Sequence, residues 1–103
     1  MTLNDYCTEC YNIALAHGWW DRERSPLEIA ALLMTELAEF VEEARRGGVV
    51  DGGITEAAKE ELADVFIRLA DYCGRMKIDL DDQVQVKMDK NRNRPYRHGG
   101  KTY

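Results

Sequence analysis

Apolar residues recur every three or four positions along most of this chain, and the breaks in that rhythm divide it into four helices. The first is expected to begin near Leu3 or Asn4 and run to about Ala16, with Gly18 as its stop. The segment from Trp19 to Arg24 then reads as a loop. Ser25-Pro26-Leu27-Glu28 combines an N-cap serine, a proline at the first helical position and a capping-box glutamate. It predicts a second helix reaching about Arg46, where Arg45 and Arg46 suit the negative end of the dipole and Gly47-Gly48 halts it. In the glycine-rich stretch that follows, Val49-Val50 is the one weak candidate for a strand. A third helix is expected from about Thr55 to Met76, and a fourth, capped by Asp79, to about Asn91. From about residue 92 the chain reads as an irregular basic tail. The expected fold is all-α, an antiparallel bundle of about four helices forming one domain over residues 1–103.

On a helical wheel, Ile29, Leu33, Leu37, Phe40 and Ala44 form the main stripe of the second helix. The opposite side carries Ala30, Ala31, Met34, Ala38 and Val41, so the helix is apolar on two sides. Such a helix is central in a bundle or packed on a second subunit. A chain this short covers it poorly alone, and oligomerisation is expected to complete the core. The third helix is more ordinary. Its stripe is Ala58, Leu62, Val65, Phe66, Leu69 and Cys73, while Asp64, Arg68 and Asp71 continue round the polar side.

Two pairs of carboxylates interrupt this pattern. Glu36/Glu39 and Glu61/Asp64 are each spaced three apart, so each pair projects from neighbouring positions on its helix. Glu36 borders the apolar stripe, where a carboxylate must offset its desolvation. Two such pairs brought together would repel unless a cation lay between them, and hard oxygen donors favour magnesium, with manganese as the alternative. The competing reading for Glu36 is neutralisation by a base such as Arg68. Glu61 and Asp64 alone would pass as a solvated face.

Composition narrows the setting. The chain is 45% apolar, ample for a core, yet has no apolar run of membrane-spanning length, and its first ten residues are polar and acidic. A soluble, cytoplasmic protein is the expectation. Three cysteines suit a reducing compartment, and Cys7-Thr-Glu-Cys10 is too few ligands for a structural zinc site. They read as small packing residues. Net charge is -5, but the segment from Lys87 onward carries a local +5, leaving -10 on the rest. A nucleic-acid polymer would be repelled by most of that surface; a small phosphorylated ligand fits better.

Glu36-Leu-Ala-Glu39, a spacer of some twenty residues, and Glu61-Leu-Ala-Asp64 together resemble the ExxE…ExxD signature of the MazG-like nucleoside triphosphate pyrophosphohydrolases, members of an all-α superfamily. The resemblance extends upstream to His17-Gly-Trp-Trp-Asp21 and downstream through Lys87 and Asn91 to Arg94-Pro-Tyr-Arg-His-Gly-Gly-Lys101. It departs at Thr35, where many members carry a second glutamate. It implies a hydrolase that converts an NTP or dNTP to the monophosphate and pyrophosphate and so cleans the nucleotide pool. Glu36, Glu39, Glu61 and Asp64 would be its magnesium ligands and catalytic acids. Lys87, Asn91 and Arg94 would contact the substrate, and His17 would either reach the base or cap its helix. Of Trp19 and Trp20, one, with Trp20 the first choice, would stack on the base, the competing reading being that the pair closes an edge of the core. A homodimer or homotetramer is implied. The alternative is a non-catalytic helical nucleotide-binding or interaction protein on the same scaffold.

Overall fold

The computed structural model describes residues 1–50 and 53–96 and has four helices: α1 (Leu3–Ala16), α2 (Pro26–Glu43), α3 (Glu56–Arg75) and α4 (Leu80–Arg92). Each starts on a side chain that accepts from the backbone three residues on: Thr2 from Asp5, Ser25 from Glu28, Thr55 from Ala58 and Asp79 from Asp82. The reciprocal capping box forms on α1, where Asp5 returns a bond to the Thr2 amide at 2.9 Å. At the start of α2, Glu28 is drawn instead to Arg22 and to Arg24, the latter at 2.7 Å. Two charged partners outcompete one amide there.

The α-helical ladder of α2 ends at Glu43, three residues short of the expected Arg46. A wide π-type turn, Ala44–Gly48, follows, in which Arg46 leaves helical geometry and Gly47 takes φ 89°. That conformation suits a residue without a Cβ. It delivers the chain to a two-residue antiparallel hairpin, β1 (Val49–Val50) and β2 (Gly53–Ile54). Gly18, at φ 84°, closes α1 in the same left-handed conformation, as its position implies.

The central helix is α3, on which both α1 and α2 pack. Cys7, Ala70 and Cys73 are buried at the α1–α3 contact, with Cys10, Phe66 and Leu80 against them. Gly74 marks the closest approach: a Cβ there would lie 2.3 Å from the Cys7 carbonyl oxygen and 2.7 Å from Tyr11 Cβ. The cysteines thus serve as small residues where two helices nearly touch.

Two features of α3 depart from its wheel. Asp71, expected on the polar side, is 4% exposed, whereas Leu62 and Leu69 stay more than a third exposed. The loop after α1 folds over Asp71, and the Trp20 indole N–H donates to its Oδ1 at 2.8 Å. The partner that covers Asp71 lies far away in sequence, so local periodicity cannot report it.

The N-termini of α1 and α4 meet and cap each other. Asn4 Oδ1 accepts from the Leu80 and Asp81 amides, while the Asp81 carboxylate accepts from the Leu3 and Asn4 amides at 3.1 Å. The Asp81 carboxylate offsets the juxtaposed positive helix ends, and the Asn4 amide oxygen satisfies two of their donors. Beyond that junction, residues 82–96 are exposed. His98 and Lys101, within the expected basic tail, lie outside the described residues.

Candidate metal centre and its neighbouring cavity

Helical spacing places Glu36 and Glu39 on adjacent turns of α2, and the packing of α2 on α3 brings Glu61 to them. One carboxylate oxygen from each of the three lies within 4.8 Å of the others. Glu61 Oε2 is buried and has no hydrogen-bond partner. Burial pushes the Glu61 carboxyl above its ordinary range, and Glu39, Asp64 and Glu36 push it the same way. An orphaned buried oxygen among like charges is costly unless something positive completes it. The donor set is all oxygen, which suits a hard divalent cation such as magnesium or manganese.

Glu36 does not share that isolation. Arg68 Nη2 donates to Glu36 Oε1 at 2.8 Å, both side chains being largely buried. The ion pair weighed against a metal role for Glu36 is therefore present, and the physically anomalous acid is Glu61.

Beside the carboxylates lies a cavity of about 350 Å³ between α1, the tryptophan loop, α2 and α3. Cys10, Ile13, Trp19 and Ile67 give it apolar walls, and Glu36, Asp64, Arg68 and Asp71 give it polar ones. Asp64 thus faces the cavity with Glu36 and stands outside the tight trio. Trp19 packs against two guanidiniums, with the Cζ atoms of Arg24 and Arg68 at 3.7 Å and 4.0 Å from the ring centre. Its indole nitrogen is buried without a partner. Trp20, the first choice for stacking, points inward to Asp71 and is 7% exposed, so it closes the core edge instead.

The remaining expected contacts fall elsewhere. His17 caps α1, its Nδ1 lying 2.9 Å from the Ile13 carbonyl oxygen. Lys87 and Asn91 are exposed on α4, and Arg94 follows that helix; none of the three lines the cavity. Trp19, Arg68 and Asp71 become cavity residues only through tertiary packing. The adjacent tryptophans signal a loop anchored by aromatics, but their sequence does not say which ring turns inward. No group of three or more metal-binding side chains among the described residues includes Cys7 or Cys10.

Asp71 makes a separate test of this packing. Burial raises its carboxyl's pKa above the usual value, against the opposing pull of the Trp20 N–H and of Arg68, Arg24 and Arg75. A folded pKa raised above the unfolded one favours folding fully below the unfolded value, and that contribution fades as pH rises through the folded value. Asp71→Asn keeps an acceptor for Trp20 and cannot ionise. Its melting temperature relative to the parent should therefore rise between pH 4 and pH 7, in paired thermal melts across that window.

Residues 24–98 match the family described as the MazG nucleotide pyrophosphohydrolase domain. No curated protein and no solved structure matches the chain.

Proposed function

We propose that this chain, which belongs to the MazG nucleotide pyrophosphohydrolase family, is a magnesium-dependent enzyme that hydrolyses a nucleoside triphosphate to the monophosphate and pyrophosphate, clearing it from the nucleotide pool. The observation that carries the reading is the trio of Glu36, Glu39 and Glu61, one of which, Glu61, has a buried carboxylate oxygen without a partner. Glu36, Glu39 and Glu61 would hold the cation, joined by Asp64 from the cavity wall. Bound there, magnesium would neutralise phosphate oxygens and lower the pKa of an attacking water.

The chain's own groups supply the rest. The apolar walls formed by Ile13, Trp19 and Ile67 would exclude water from one end of the ligand. Arg68 offers a guanidinium fork matched to phosphate. Lys87 and Asn91, one turn apart on the exposed face of α4, and Arg94 after it are proposed as further substrate contacts.

The test is release of pyrophosphate and monophosphate from a panel of NTPs and dNTPs. Turnover with magnesium that stops on chelation is expected. Nucleotide binding without turnover would favour the non-catalytic alternative.

Assembly into a homodimer or homotetramer is part of the proposal. Its support is the second apolar side of α2, where Ala30, Ala31, Met34, Ala38 and Val41 are exposed, Met34 at 70%. Sedimentation should show an oligomer at micromolar concentration. Met34→Glu should shift it toward monomer by about a hundredfold or more in dissociation constant, the several kcal/mol that burying one unpaired charge costs.

A further inference from the structure

We infer that Arg68 is a positioning residue that couples cation binding at the carboxylates to ligand binding in the cavity, by exchanging Glu36 for a phosphate. The inference rests on the metal-site reading above and adds a role for a residue outside the ligand set.

Arg68 has two commitments in the structure. Its Nη2 holds Glu36 at 2.8 Å, and its Cζ packs 4.0 Å from the Trp19 ring, so one guanidinium touches both the acid trio and the cavity wall. It neutralises Glu36 while Glu61 keeps an unpartnered oxygen, so a single base provides for one carboxylate what a divalent cation would provide for three.

A cation arriving alone must therefore take Glu36 with a guanidinium beside it, and like charges at that range oppose binding. A triphosphate relieves the conflict. Its oxygens match the arginine fork better than the single Glu36 carboxylate oxygen it now holds, and the ligand carries compensating negative charge. Arg68 would then pass from Glu36 to phosphate and leave Glu36 available to the cation, while Arg24, which already packs on the Trp19 ring, would keep that contact. Cation and triphosphate thus bind with positive cooperativity, each weakening when the other is withheld. An arginine that merely oriented Glu36 would act the other way and hold the metal more tightly.

Mn2+ binding followed by the paramagnetic resonance of the free ion separates these cases. It is measured first without nucleotide, then with a triphosphate analogue whose α,β bond cannot be hydrolysed. Arg68→Met should bind Mn2+ roughly fivefold more tightly than the parent without nucleotide, the loss of one competing ion pair. It should also lose most of the tightening that the analogue produces. Arg68→Lys keeps the charge without the fork; it should match the parent within about twofold without nucleotide and gain less from the analogue. Unchanged or weaker Mn2+ binding by folded Arg68→Met, or analogue-induced tightening in Arg68→Lys equal to the parent's, would overturn the inference. Failure of every protein, parent included, to bind Mn2+ would remove the metal-site reading itself and the inference with it.

Discussion

Glu61→Gln should cut pyrophosphate release by at least about a hundredfold while raising the melting temperature of the metal-free protein. The loss of activity follows from removing a charged oxygen from a three-carboxylate site, where even outer partners of ligands are commonly worth ten- to a hundredfold. The gain in stability follows from the present environment of that side chain. One oxygen is buried without a partner, and Glu39, Asp64 and Glu36 all oppose ionisation. The amide is neutral and can donate to one of those carboxylates, converting repulsion into a hydrogen bond. Opposite movements of activity and stability are the signature of a site held in a strained charge state for function. Initial rates at saturating magnesium, paired with thermal melts in chelator, measure both arms. A variant as active as the parent, or one less stable than it, would contradict the assignment. Glu28 is the useful contrast. Its carboxylate binds Arg22 and Arg24, which hold its pKa below the ordinary value, so Glu28→Gln should lower stability and leave metal binding unchanged.

The second large effect is mechanical. Gly74→Ala should destabilise the fold by about 3 kcal/mol, the upper part of the range for inserting a methyl group into a packed interior. The clash is with the Cys7 carbonyl at 2.3 Å, a backbone atom of α1, and no side-chain rotation relieves it. The helices would have to separate along the contact that buries Cys7, Ala70 and Cys73. For a domain of this length the melting temperature should fall on the order of 15 °C. Gly53→Ala is the matched control, because a Cβ there meets nothing within 4 Å. A Gly74→Ala protein that melts within a few degrees of the parent would show that α1 can slide along α3.

The helices were legible in the sequence because their signals are local. Gly18, Ser25-Pro26, Thr55 and Asp79 each act on the backbone within three or four residues, and each marks an observed helix end. The end of α2 was less legible. Arg45 and Arg46 suit a helix terminus, but Gly47 at φ 89° draws the preceding residues into a wide turn. Of the candidate site, the helical spacing of four acids was legible, and three of them, Glu36, Glu39 and Glu61, come together where α2 meets α3. Their individual circumstances were not. Arg68 lies thirty-two positions from Glu36, and Trp20 fifty-one from Asp71, so their pairing depends on tertiary packing. The wheel of α2 showed two apolar sides correctly, but α3 is the helix placed centrally within the chain.

The mutual capping of α1 and α4 has a consequence for amide exchange with solvent. It fixes the start of α4 through Asn4 and Asp81, while the rest of that helix packs on nothing that removes it from water. Thirteen residues are close to the minimum for a helix standing alone, so opening should spread from Arg92 back toward Leu80. Deuterium uptake is then expected to be fast at the far end of α4 and to slow toward its first turn, while α3 stays protected. Whatever settles on that helix, a nucleotide or a second copy of the chain, would announce itself as a loss of this gradient.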